Sequence, residues 1–114
     1  MDEITALQAE VLKVLSSPKR LEILHTLAAE PMEVGRIAEA LGVSQPNVSQ
    51  HLAVMRTAGI VDCDRVGREI RYRLADADVL VACNVMRGVL ERRLARLVRA
   101  ADSARMTEIL IPIS

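Results

Sequence analysis

The sequence predicts a mainly α-helical domain with a small β-hairpin, and three observations carry that prediction. Four helical apolar stripes precede residue 60, two of them separated only by Gly42-Val43-Ser44. The apolar period then drops from about 3.6 to 2 over residues 60–74, around Gly67. A last stripe at helical spacing runs from Val79 to Leu97.

Composition agrees with that class. The chain has 114 residues, enough for one real core and too few for two domains of ordinary size. Apolar residues make up 51% of it with one Tyr and no Phe or Trp, so the core is expected to be aliphatic, which suits helix packing. No run of 18 apolar residues exists, so no membrane-spanning helix is expected. The start, MDEITALQ, is acidic and lacks the basic stretch of a secretory signal. Two cysteines are too few for a disulfide scaffold, and a cytoplasmic setting is expected. The expected organisation is one domain over residues 1–101 and a C-terminal tail over 102–114.

Taken in order, residues 3–15 form an amphipathic helix with Ile4, Leu7, Val11, Leu12 and Leu15 on one face. Ser17 caps a second helix, about residues 18–29, with Pro18 in its first turn and Leu21, Ile23, Leu24 and Leu27 inward. A third helix runs from about Glu33 to Leu41, with Val34, Ile37 and Leu41 inward. Gly42 then ends it, and Ser44 caps the next. That fourth helix, SQPNVSQHLAVMRTAG, buries Val48, Leu52 and Met55, which recur at spacings of four and three. Its other arc carries Asn47, Ser49 and Gln50, flanked by Gln45 and His51. Amides and hydroxyls at those places suit base edges in a major groove, where Gln and Asn match adenine and Ser adapts. Helix, glycine turn and polar-faced helix are the parts of a helix-turn-helix.

Ile60–Arg65 and Glu69–Leu74 read as two strands around Val66-Gly67. Ile70, Tyr72 and Leu74 share one face, Glu69, Arg71 and Arg73 the other, and Arg65 and Arg68 flank the tip. A basic hairpin directly after a reading helix is a wing, which makes the whole a winged helix-turn-helix. From Asp76, which with Asp78 favours a helix N-terminus, a long helix runs to about Ala101. Val79, Cys83, Met86, Leu90, Leu94 and Leu97 give it a second apolar face that the domain does not need. The first helix has the same surplus. The two are expected to form a homodimer interface, twofold dimers being the commonest oligomers.

Net charge is zero, which by itself argues against a nucleic-acid partner. Its distribution argues the other way. Residues 1–43 carry four Lys/Arg against seven Asp/Glu, whereas residues 44–74 carry five Arg against three acids.

The runs LSSPKRLEILHTL, EVGRIAEALGVSQPNVSQHLAVMRTAGIV and VGREIRYRL resemble the ArsR/SmtB family of bacterial winged-helix repressors, over about residues 8–98. The resemblance implies a homodimer seated on an imperfect palindrome of promoter DNA and released by an inducer, often a metal ion or a thiol-reactive species. Its DNA-contacting positions fall on Gln45, Asn47, Ser49, Gln50 and His51, and its wing contacts on Arg65, Arg68 and Arg71. Its sensing sites depart from the family pattern. The cysteines of arsenic sensors give way to Glu33 and Gly35, and the zinc-type site on the last helix reads Asp76, Asp78, Val89 and Arg92. Only Asp76 matches; Val cannot ligate and Arg repels a cation, so no metal and no cofactor are expected.

His25 is expected to be structural. Cys63, sharing a strand face with Val61, and Cys83, on the last apolar stripe, are expected to pack inward. They are also the candidates for a thiol-based sensor of arsenite, reactive sulfur or oxidants. A winged-helix dimer serving as a protein-interaction module is the other alternative. No nucleophile with a base, Gly-rich phosphate loop, HExxH or CxxC occurs, so no enzyme is expected.

Overall fold

The computed structural model describes residues 2–110, ordered α1 (Glu3–Val14), α2 (Pro18–Leu27), α3 (Val34–Leu41), α4 (Gln45–Thr57), β1 (Val61–Val66), β2 (Glu69–Leu74) and α5 (Asp78–Leu110). The chain divides into two compact units, one up to Leu80 and one from Val81.

The helix starts follow from their caps. Asp2 accepts the Thr5 N–H at 2.6 Å, which holds its carboxyl below the usual range. The Ser17 hydroxyl accepts the Arg20 N–H at 3.3 Å, and Ser44 accepts the Asn47 N–H at 3.3 Å. α2 stops at Leu27, two residues short of the span expected from periodicity. The Ala28 N–H turns back to the His25 carbonyl, tightening the last turn ahead of Pro31. α3 starts after Glu33, whose carbonyl accepts the Arg36 and Ile37 N–H groups while its side chain makes no cap.

One backbone device ends both helices of the central pair. After α3, Gly42 takes φ +67°, its N–H donates to the Glu39 carbonyl, and the Val43 N–H donates to that of Ala38. After α4, Gly59 takes φ +77°, its N–H donates to the Arg56 carbonyl, and the Ile60 N–H donates to that of Met55 at 2.9 Å. Both are Schellman motifs, whose left-handed position favours glycine because it has no Cβ.

In the unit up to Leu80 the core is apolar throughout. Ile23, Leu24 and Leu27 of α2, Ile37 and Ala38 of α3, and Val48, Leu52 and Met55 of α4 meet Leu15, Ile60 and Val61. Among the described residues no polar side chain is buried. α1 itself buries none of its residues, and Ile4 is 73% exposed.

The hairpin differs from its sequence reading in three ways. β1 begins one residue later, because Ile60 closes the α4 cap. Val66 therefore pairs with Glu69, and the loop is Gly67-Arg68 rather than Val66-Gly67. Glycine with φ +65° at the first loop position suits a two-residue type II′ connection. Burial then falls along the ribbon instead of alternating across it. Val61 at the root is buried, whereas Val66 and Ile70 near the tip are 49% and 45% exposed. Finally, the ribbon does not depend on side-chain packing alone. Met32 and Tyr72 exchange both backbone hydrogen bonds, at 2.9 and 2.8 Å, which ties β2 to the α2–α3 connection.

α5 continues nine residues beyond the expected end at Ala101, so residues 102–110, read as tail, are helical. The rest of the apolar ILIPI segment lies outside the described residues. The helix opens where the Asp76 carboxylate accepts the Asp78 N–H at 2.9 Å. Taken by itself it leaves Met86, Leu90, Leu94 and Leu97 exposed, Leu94 by 62%.

Leu52→Ala should lower the unfolding free energy by about 2–5 kcal/mol, through lost transfer energy and a residual cavity. Ile70→Ala, at the open end of the ribbon, should stay within about 0.5 kcal/mol. Urea denaturation at fixed protein concentration measures both, and equal losses would mean that the ribbon tip belongs to the core.

Candidate nucleic-acid interface

The site is built on α4, and its two halves differ. The buried stripe of Val48, Leu52 and Met55 pins one side of the helix to α2, α3 and β1. Along the N-terminal half, Gln45, Asn47, Ser49 and Gln50 are all exposed. Along the C-terminal half, Ala53, Val54, Thr57 and Ala58 line an open, largely apolar groove of about 680 Å³ whose other wall is Leu7, Glu10, Val11 and Val14 of α1. Arg56 and Thr57 of the C-terminal half have partners in Asp62 and the Ala53 carbonyl, so the exposed polar side chains without a partner among the described residues lie in the first turns of the helix.

Within that polar half the residues are not equivalent. Gln45 folds back across the turn toward α3, so that a Cβ placed at Gly35 would lie 3.0 Å from its Nε2. Asn47, Ser49 and Gln50 make no side-chain hydrogen bond among the described residues, which leaves their donors and acceptors to solvent. His51 is half-buried, and its Nδ1 accepts a hydrogen bond from Arg20 Nε at 3.1 Å. Burial first, then the Arg20 and Lys19 charges, holds its pKa below the ordinary 6.5. Sequence reasoning placed His51 on the reading arc but missed Arg20, which lies 31 positions away and carries no local signal.

The wing arginines also separate. Arg71 lies against Glu69, with its Nη2 2.9 Å from the carboxylate. Arg73 is held by Asp64 at 2.7 Å and its pKa is raised by that bond. Arg56 meets Asp62 at 3.5 Å. Arg65 and Arg68 are exposed at the tip and make no ion pair among the described residues. Of the three wing positions expected to touch DNA, two present an unpaired guanidinium and Arg71 does not.

Cys63 and Cys83 are free thiols, and both are half-buried rather than packed inward. Cys63 pairs with Tyr72 across the ribbon, beyond the well-buried root, which explains its partial exposure. Among the described residues no three His, Cys, Asp or Glu side chains converge on a cation position.

Comparison with known proteins places this geometry. The sequence profile of the bacterial regulatory proteins of the arsR family matches residues 17–62, from the α2 cap to the start of the wing. The chain is 43% identical over 74 residues to the HTH-type transcriptional repressor SmtB of Mycobacterium tuberculosis, covering 65% of this chain and 55% of that protein. It is 38% identical over 78 residues to the biofilm growth-associated repressor of Xylella fastidiosa, covering 68% of each. The match thus spans little more than half the length of the mycobacterial relative. Among solved structures, the homodimeric winged helix-turn-helix DNA-binding domain of Mb0332 from Mycobacterium bovis superposes with a TM-score of 0.76 at 30% identity. It covers 82% of this chain and 86% of that one. On the family profile over the helix-turn-helix and the relatives matched over two thirds of their length, this chain belongs to the arsR family of bacterial regulatory proteins.

Proposed function

We propose that the chain is a sequence-specific DNA-binding repressor that acts as a homodimer on a palindromic promoter site. One observation carries the reading. The first turns of α4 expose Asn47, Ser49 and Gln50 with their polar groups unpaired, on a helix whose opposite stripe is immobilised in the core. Amides without internal partners on a rigid helix match major-groove base edges, whereas a face kept merely soluble would carry Glu and Lys. Arg65 and Arg68, at the ribbon tip, fit phosphate contacts that set orientation without reading sequence.

The dimer follows from apolar surface. α1 and α5 each expose a row of large aliphatic side chains that a monomer would leave in water. A twofold dimer presents its two reading helices to half-sites one helical turn of DNA, or a multiple of it, apart. The relatives named repressors and the homodimeric neighbour support this reading.

A duplex selected from a random library should bind the dimer with an affinity that falls steeply as salt rises, because counterions are released from each neutralised phosphate. Gln50→Ala should remove about 1–3 kcal/mol of discrimination against wrong bases, while Arg68→Ala should weaken all duplexes alike and reduce the salt slope by about 1. Binding isotherms at two salt concentrations decide; a sequence-selective Arg68→Ala with a uniform Gln50→Ala would invert the assignment of helix and wing.

Leu90→Asp should dissociate the dimer and abolish tight duplex binding, since it would place an unpaired carboxylate in an apolar contact. Sedimentation showing an intact dimer would remove α5 from the interface.

A further inference from the structure

We propose that Arg20 is a positioning residue for the reading helix: its bond to His51 Nδ1 fixes the imidazole as the Nε2–H tautomer, so that His51 offers DNA a donor and no acceptor. The proposal rests on α4 being the reading helix, and it adds a residue of α2 to the specificity of that helix.

The argument starts from what a guanidinium can do. Arginine carries only donors and keeps its charge, so a nitrogen 3.1 Å from Arg20 Nε must hold a lone pair. That nitrogen is Nδ1, and in a neutral imidazole the proton then sits on Nε2. Arg20 is itself held in place. Its Nη1 donates to the Val14 carbonyl at the end of α1 at 3.1 Å, and its backbone N–H is taken by the Ser17 cap. One side chain thereby joins the end of α1, the first turn of α2 and the middle of α4.

His51 lies one helical turn after Asn47 and next to Gln50. Those amides present both donor and acceptor, whereas a fixed Nε2–H presents a donor alone. It suits an acceptor on the duplex, such as a phosphate oxygen or guanine O6 and N7, and it opposes the amino groups of adenine and cytosine. The ring need not choose a tautomer on binding, so that ordering is complete beforehand.

The electrostatics agree. The charged groups that bear on His51 are both cations of α2, Arg20 and Lys19, the latter paired with Glu22 at 3.2 Å. α3, β1 and α1, whose Glu10 lines the groove beside the C-terminal half of α4, add no charge that shifts it. The neutral ring is favoured above its lowered midpoint. As pH falls through that midpoint, Nδ1 takes a proton, two donors face each other, and the link is lost.

The test is long-range proton–nitrogen NMR on the full chain, with affinity for a library-selected duplex and for random duplex measured on the same samples. Wild type should show Nδ1 unprotonated and Nε2 protonated at neutral pH, with a midpoint below 6.5. Arg20→Met keeps the stem and removes the donors. It should mix the tautomers, raise the midpoint toward 6.5 and lower the selected-over-random ratio by about three- to tenfold. His51→Asn keeps an acceptor for Arg20 but, ending at its δ atoms, leaves no donor at the Nε2 position; it should fold as wild type and lose a similar factor, and it serves if Arg20→Met does not fold. A protonated Nδ1 in wild type, or an unchanged ratio in the folded variants, overturns the proposal. A fixed tautomer in a protein that selects no duplex instead overturns the reading of α4, and the pair's role in specificity falls with it.

Discussion

The buried stripe of α4 is the constraint on which the rest of the structure depends. Val48, Leu52 and Met55 are fully buried, and α2, α3 and β1 all pack around them. With no buried polar side chain among the described residues, the fit is one of shape, and shape in a close-packed interior tolerates little rotation. Such a helix can expose a polar half without that half drifting. The two Schellman turns complete the restraint, since Gly42 and Gly59 fix how the chain enters from α3 and leaves toward the wing. The axis of α4 is thus set by apolar packing and by backbone hydrogen bonds at both ends.

Charge acts on a different level from stability. Exposed ion pairs contribute about 0–1 kcal/mol each, so the pairs along the wing do little to hold the ribbon together. Their consequence is distribution. Asp62, Asp64 and Glu69 lie against Arg56, Arg73 and Arg71, which cancels charge along the shaft of the ribbon. Arg65 and Arg68 remain uncancelled at its end. A chain with no net charge can in this way concentrate positive potential where a phosphate would lie. The ribbon holds its place through backbone bonds at Met32 and Tyr72 instead, which no salt concentration screens.

α1 and α5 are helices of another kind. Each has an apolar row that its own surroundings leave largely uncovered, and α1 buries none of its residues. Helices in proteins owe most of their stability to packing of such a face. The groove between α1 and the C-terminal half of α4 continues the apolar surface of α1 up to α4. Whatever covers α1 therefore lies within a helix turn or two of Ser49 and Gln50.

Features encoded within a few residues are legible in the chain alone. The caps at Ser17 and Ser44, the glycine stop at Gly42, the stripe of α4 and the change of period after Gly59 are local signals. A helix cap or a spacing of three and four involves neighbours that any helix brings together. The same locality made Asn47, Ser49 and Gln50 legible as a polar arc. Tertiary structure alone decided the rest. The wing's burial gradient arises because the ribbon leaves the helices, so alternation at Ile70 no longer predicts an inside. Half-exposure of Cys63 has the same origin. Arg71 meets Glu69, two residues away on the same strand, through a rotamer choice that spacing does not specify. Met32 pairs with Tyr72, and Arg20 with His51, only because docking brings together backbones far apart in the chain. Periodicity reports which face of an element is apolar. It carries no information on which polar group of another element will lie against that face's edge, and there the His51 tautomer is set.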